Sequence, residues 1–257
     1  MRISILLFTL LLVAVSCKKE VNTTNTSTTD NTPKGRLIFH LHTFIGDSEV
    51  DGYNIDMTTP EGRSISLNEA EFYITDIQLV KLDGSIYNVP SKGALKVFES
   101  ESVTIGDVNV GNYKSVRFKV GLIPEINQLL PTASGYSVLL NQSEMWFNNT
   151  AKTNEYVFLN FSGKIDTTKA MNGDKVPFEF KIGSNDNLVQ IEMPEQGTTI
   201  LEGQIGYIHM VADYSKFFTN IDLTKNENLT IQSLEDNKKP IVKTLKTNIA
   251  SMFRYEN

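Results

Sequence analysis

The sequence is poor in three residue types that often carry function. It has one cysteine, Cys17, one tryptophan, Trp146, and only three histidines among 257 residues. A lone cysteine cannot form a disulfide within the chain, and the part of the chain that follows Cys17 has no thiol nucleophile. That part must therefore be stabilised by its hydrophobic core alone.

The sequence also lacks the features of several functional classes. The formal net charge is −6 and no Lys/Arg-rich patch stands out, so we expect no nucleic-acid partner. No HExxH, GxSxG or phosphate-binding glycine loop occurs, and the numerous carboxylates form no spaced pair. We therefore expect a protein that is not an enzyme.

The first residues have the pattern of an export signal. An early positive charge, Arg2, precedes an apolar run over residues 3–15 that is too short to span a bilayer. Small residues, Ala14 and Ser16, stand just before Cys17, and this arrangement resembles the lipobox of bacterial lipoproteins. The resemblance implies cleavage before Cys17 and a diacylglycerol on its sulfur. The alternative is an ordinary cleaved signal with an incidental cysteine.

A polar tether is predicted after the cysteine. Residues 18–34 contain Val21 as their only apolar residue, so they cannot bury enough surface to fold. The charged start of this segment, at residues 18–20, fits either a surface-export signal or a solvated linker. We expect an exported protein anchored by lipid to a bacterial membrane, with the outer membrane favoured. The domain would then face either the periplasm or the cell surface. The predicted organisation is a signal peptide at 1–16, a lipidated cysteine with a disordered linker at 17–34, and a β-sandwich domain at 35–257.

The globular part shows a hydrophobic period of two. Leu37, Phe39 and Leu41 alternate with more polar positions, and similar short segments are bounded by Gly, Asn, Asp and Pro. This pattern predicts an all-β fold, an antiparallel β-sandwich with a few short helices. The further predicted strands lie at 72–82, with one shift of phase, and at 116–120, 156–161, 176–180, 188–191 and 205–211; the predicted helices lie at 124–130, 214–218 and 245–253.

The histidines suggest a metal site. His40 and His42 are two apart in a predicted strand, so their side chains should lie on one face. With His209 from another strand they could bind copper or zinc, and a thioether from Met145 or Met210 would favour copper(I). His209 and Met210 should point to opposite faces. The alternative is two solvent-facing histidines and an unrelated third.

Several segments, taken together and in order, resemble the MbnP-like copper-binding lipoprotein family. The matches cover nearly the whole domain. They are LNEAEFYITDIQLVKLDGS at 67–85, VRFKVGLIPEIN at 116–127, Met145-Trp146 with EYVFLNFSG at 155–163, FEFKIG at 178–183, VAD at 211–213 with Phe217-Phe218, and NIASMF at 248–253.

This resemblance implies a periplasmic or surface β-domain that binds copper through histidines. It also implies, for some members, oxidation of a tryptophan by a partner di-haem peroxidase, which would make Trp146 a modified or site-adjacent residue. The family's histidine positions fall here at Thr43, next to His42, and at Lys181 and Asn257. A lysine at neutral pH places a positive charge where a metal cation would bind.

Three functions compete on these observations. A copper-binding lipoprotein requires His40 and His42 to converge with His209 or a methionine. A metal-free surface interaction module, which has lost the copper site, predicts an exposed aromatic or polar cleft without converging donors. A catalytic or redox role requires Trp146 near both the surface and a metal site.

Overall fold

A computed structural model describes residues 32–256, so Cys17 and Asn257 lie outside the described residues. The strands are β1 Lys34–Ile45, β2 Ser48–Glu49, β3 Met57–Thr58, β4 Ser64–Lys81, β5 Ile86–Asn88, β6 Ala94–Lys96, β7 Ser102–Asn109, β8 Gly111–Val120, β9 Trp146–Asn148, β10 Ala151–Asp166, β11 Lys175–Gly183, β12 Val189–Glu192, β13 Thr198–Ile200, β14 Ile205–Asp213, β15 Thr230–Ile231 and β16 Phe253–Tyr255. The α-helices are α1 Pro124–Asn127, α2 Ser137–Leu140 and α3 Pro240–Ser251, and short 3₁₀ helices cover Ser143–Met145, Asn185–Asn187, Tyr214–Phe218, Asn226–Asn228 and Asp236–Lys238.

The strands form two sheets, which confirms the predicted all-β class. In sheet 1, β1 lies between β14 and β7, with β2 paired to its end and β16 paired to β14. Sheet 2 is built on the neighbouring strands β12, β8, β4, β10, β11 and β15. Most pairs are antiparallel, as expected of a sandwich, but β1 pairs parallel with β14 and β11 pairs parallel with β15.

The alternation along β1 sets the two faces of sheet 1. Leu37, Phe39 and Leu41 are fully buried and belong to the main core. His40 and His42 point to the opposite face, as the period of two predicts. The same strand therefore contributes to the core with one face and to a polar surface with the other.

The predicted phase shift in β4 is a bulge in the ladder. The pairing of β4 with β8 is interrupted between Thr75 and Gln78, and Asp76 there adopts φ 48°. An extra residue at a bulge moves the following side chains to the other face. Leu82, counted in this strand from the sequence, lies beyond its end and is 65% exposed, because the turn has already begun.

The helices differ from prediction mainly in their limits. The first predicted helix is shorter, since α1 covers four residues, and the 3₁₀ helix Tyr214–Phe218 lies where a helix was expected. The C-terminal helix α3 begins at Pro240, five residues before its predicted start, because proline fits the first turn of a helix. Within residues 32–256, no helix is long and apolar enough to cross a bilayer.

An aromatic cluster fills one end of the main core. Phe161 of β10 is fully buried, and its ring centroid lies 4.9 Å from that of Phe178, 4.6 Å from that of Tyr214 and 5.0 Å from that of Phe217. Such tilted and edge contacts add to the stabilisation from burial itself. This ring therefore joins sheet 2 to the 3₁₀ helix that follows β14.

We expect the substitution Phe161→Ala to lower the free energy of unfolding by about 3–5 kcal/mol, because it leaves a cavity among rings that cannot all move inward. Urea denaturation followed by fluorescence measures this change. Val138→Ala, at a site that is 89% exposed, is the control and should change the value by less than about 0.5 kcal/mol. Equal effects of the two substitutions would contradict the assignment of Phe161 to the core.

Candidate metal centre

Two histidines of β1 lie in direct contact on the outer face of sheet 1. His42 Nε2 is 3.0 Å from His40 Nδ1, and the two ring centroids are 4.5 Å apart. The side chain of His42 is only 11% exposed, so it lies at the base of the group. The co-facial pair predicted from the sequence spacing is therefore present.

The third histidine comes from the neighbouring strand. His40 pairs with His209 across the parallel ladder of β1 and β14, and their ring centroids lie 4.9 Å apart. His209 is more exposed than the other two, with 52% of its side chain accessible. The structure thus brings together all three histidines of the chain, although they are separated by some 170 residues of sequence.

Three carboxylates surround the histidines, and the pairing of the strands places each of them. Glu49 stands opposite Phe44 in the pairing of β2 with β1. Glu101 precedes β7, and its carbonyl oxygen accepts a hydrogen bond from Leu41. The backbone N–H of Glu256, just after β16, donates to the His209 carbonyl oxygen at 3.2 Å.

The carboxylates contact different nitrogens of the group. Glu49 Oε1 contacts His42 Nδ1, and Glu101 Oε2 lies 3.4 Å from His40 Nε2. Glu256 Oε2 lies 3.6 Å from His42 Nε2 and 3.5 Å from His209 Nδ1, so it connects the two strands. Among the ion pairs of residues 32–256, these three carboxylates meet only histidines. The charge of the buried Lys96 also interacts with Glu101, without forming an ion pair.

The donor spacing fits a transition-metal ion. His40, His42 and Glu256 each offer one donor atom, and these atoms all lie within 4.8 Å of one another. Two nitrogens bonded to one ion at their usual lengths and at 90–109° are about 2.9–3.4 Å apart, and the His40–His42 separation of 3.0 Å lies in this range. The spacing therefore allows both nitrogens to bind one ion once the hydrogen bond between them is broken.

The contact with Glu49 also fixes the chemistry of His42. A carboxylate beside Nδ1 favours the tautomer that carries its proton there, which leaves the lone pair on Nε2. That nitrogen faces His40 and Glu256. Glu49 therefore leaves Nε2 as the nitrogen of His42 that could bind a metal ion.

Neither methionine considered from the sequence lies on this surface. Met210 is fully buried in the main core, on the face of β14 opposite His209, as the alternation predicted. Met145 is fully buried in a second, smaller hydrophobic cluster. The donors gathered here are therefore nitrogen and oxygen, which suit divalent copper or zinc better than copper(I).

The positions matched to family histidines lie apart from this group or outside the described residues. Thr43 points away from His42 and is buried. The Nζ of Lys181, in sheet 2, donates to Asn149 Oδ1 at 2.7 Å and lies 3.9 Å from Glu179. Asn257 falls outside the described residues, but its neighbour Glu256 contacts His42. If the alignment with the family is shifted by one residue near each end of the domain, His42 replaces Thr43 at one family histidine position. Glu256 then replaces Asn257 at another.

Trp146 belongs to the second cluster. It is half-buried, it packs with residues around Tyr73, Tyr156 and Phe158, and its Nε1 donates to the Leu140 carbonyl oxygen at 3.1 Å. Within the described part of the chain, none of its hydrogen bonds or ring contacts involves a histidine. Its oxidation by a partner haem enzyme stays a prediction.

Sheet 2 has a polar outer face of a different kind. A cavity of about 550 Å³ is lined mainly by polar side chains, including Glu69, Glu144 and Lys181. Nearby Glu71 is 6% exposed, and its Oε2 has no hydrogen-bond partner. Burial, followed by the charges of Glu69, Glu144 and Glu99, raises the pKa of Glu71 to about 8. This is the polar cleft that a metal-free interaction module would require, although metal donors do converge elsewhere.

Comparison with known proteins gives one consistent relationship. The family model of MbnP matches residues 21–235. The fold is similar to the solved structure of MbnP from Methylosinus trichosporium, with a TM-score of 0.56 and 14% sequence identity over 81% of this chain and 87% of that chain. No curated protein matches.

The buried Glu71 predicts a pH dependence of stability. Its folded pKa of about 8 exceeds the ordinary 4.5, so the folded protein retains a proton that the unfolded chain loses in this window. The contribution of Glu71 to the free energy of unfolding therefore falls as the pH rises from about 4.5 to about 8, and it is constant outside that window. Glu71→Gln should remove the decline and be more stable than the unchanged protein at pH 8.

Urea denaturation at several pH values between 5 and 8 measures the difference between the two proteins. Glu195→Gln is the matched control, because the Glu195 side chain is 69% exposed, and it should leave the slope unchanged. A difference between Glu71→Gln and the unchanged protein that does not vary with pH would contradict the raised pKa.

Proposed function

The chain belongs to the MbnP family, and on that premise we propose that it is a membrane-anchored extracytoplasmic protein that binds copper through His40 and His42. The observation that carries the proposal is the convergence of His42 Nε2 with His40 Nδ1 at 3.0 Å and with Glu256 Oε2 at 3.6 Å. His209 completes the group from β14. The role is binding or delivery of the metal rather than catalysis.

The chain's own residues define how an ion is bound. His40 and His42 supply two nitrogens at a spacing that one ion can bridge, and Glu256 supplies an oxygen and a negative charge. Glu49 holds the tautomer of His42, and the low exposure of His42 limits its movement. Copper in such a site would have an open side towards solvent, where His209 or water could bind.

The donor set also predicts the oxidation state. Imidazole and carboxylate favour copper(II), whereas strong binding of copper(I) is favoured by sulfur donors. Both buried methionines considered above lie away from this surface. The metal-free interaction module remains the competing proposal, supported by the polar cavity of sheet 2 and by Lys181 at a family histidine position.

We expect the purified protein to bind copper(II) and the double variant His40→Ala/His42→Ala to lose this binding. Isothermal titration against a competing chelator measures the affinity, and a parallel anaerobic titration with copper(I) should give weaker binding. His209→Ala, which removes the most exposed donor, should lower the affinity by at most about tenfold. His40 and His209 are partly exposed but His42 is largely buried, so circular dichroism should be used to verify that the double variant keeps the fold.

Absence of binding in the unchanged protein would overturn the copper proposal in favour of the interaction module. Equal binding by the unchanged protein and the double variant would show that any bound copper lies elsewhere.

We also propose that Cys17 carries the lipid that anchors the protein to the membrane, most readily the outer membrane. Cys17→Ala should then move the protein from the membrane fraction to the aqueous extract, because no acyl chain remains to hold it. Mass spectrometry of the N-terminal peptide should find a diacylglyceryl group on Cys17 in the unchanged protein. Thr23→Ala, in the predicted tether, is the control and should remain in the membrane fraction.

A further inference from the structure

The two ring nitrogens of His42 each lie in a separate group of donors. Nε2 faces His40 Nδ1 and Glu256 Oε2, as described above. Nδ1 contacts Glu49 Oε1 and lies 3.9 Å from Glu101 Oε1. Within His42, Glu49 and Glu101, as within the first group, the donor atoms all lie within 4.8 Å of one another.

One ion cannot bond to both nitrogens of an imidazole, because their lone pairs point outward in different directions from the ring. The donors therefore form two sets that share His42, rather than one larger set. The second set offers one nitrogen and two carboxylates, a combination found at zinc and copper(II) sites.

We propose that this surface binds two divalent ions, with the imidazole ring of His42 as the bridge between them. The inference rests on the proposed function, because the first ion is the copper bound at Nε2. The second ion binds at Nδ1 with Glu49 and Glu101. It replaces the proton that Nδ1 holds towards Glu49 in the metal-free protein, and that proton passes to solvent. No electron is transferred.

The charges balance in this arrangement. Glu49, Glu101 and Glu256 carry three negative charges, and the bridging imidazolate adds a fourth, so two divalent cations give a neutral site. A single divalent cation leaves a net negative charge beside the largely buried ring of His42. Lys96 interacts electrostatically with Glu101, but it is buried and donates its hydrogen bond to the Val97 carbonyl oxygen.

The second set is also accessible to an ion. The side chains of Glu49 and Glu101 are 39% and 52% exposed, whereas that of His42 is largely buried. An ion can therefore reach Nδ1 from solvent once the two carboxylates open, and water can complete its coordination. The imidazole ring of His42, which bridges the two ions, keeps the distance between them constant.

Titration of the purified protein with copper(II) chloride against glycine as competitor tests the inference, with calorimetry and electron paramagnetic resonance as readouts. We expect two equivalents to bind. The resonance should grow with the first equivalent and fall with the second, because an imidazolate bridge couples the spins of two copper(II) ions. The variant Glu101→Gln leaves Glu49 in place to orient His42, so it should keep the first equivalent and its resonance and lose the second.

The matched control is Glu195→Gln, which removes one exposed carboxylate from another part of the surface and should bind two equivalents. A single equivalent in the unchanged protein overturns the bridge and leaves the proposed function intact. Binding of two equivalents whose resonance intensities simply add also overturns the bridge, because the two ions are then not coupled. This conclusion holds whatever the variant shows. No binding at all overturns both proposals.

Discussion

Nine residue pairs, from Arg36–Ile205 to Phe44–Asp213, hold β1 parallel to β14. This ladder joins the first strand of the domain to one near its end, and its register places His40 opposite His209. The same two strands carry their buried side chains into the main core on the other face. The register therefore fixes the core and the candidate metal centre together, because a slip of one residue would exchange the two faces.

Around this ladder, short flanking elements contribute the carboxylates. Glu49, Glu101 and Glu256 all stand at the ends of strands paired to β1 or β14, where backbone pairing fixes the chain and the carboxylates reach the histidines. The histidines project from strand interiors, and the side chain of His42 is the least exposed of the group.

Local pattern predicted much of the fold. The alternation of Leu37, Phe39 and Leu41 identified the core face of β1, and the phase shift in β4 proved to be a bulge at Thr75–Gln78. Pro240 could have marked the start of α3, since proline is favoured in a first helical turn. The short helix α2 was missed because four residues carry too little periodicity to recognise.

The candidate site was only half predictable for a physical reason. His40 and His42 share a face by local geometry, which sequence spacing reveals. The proximity of His209 depends on a parallel pairing across most of the chain, and no local signal specifies that pairing. Glu49, Glu101 and Glu256 are three among 30 acidic residues. Their selection depends on which strand ends meet, so the tertiary structure alone distinguishes them from solvated surface charges.

The placement of the donors on the face opposite the core has an evolutionary consequence. Exchange of any of these donors other than the largely buried His42 removes little buried contact, so the side chains on this face can change while folding is preserved. Such a change need not pass through an unstable intermediate. The fold can therefore persist at 14% sequence identity while the side chains on its outer face are exchanged one position at a time.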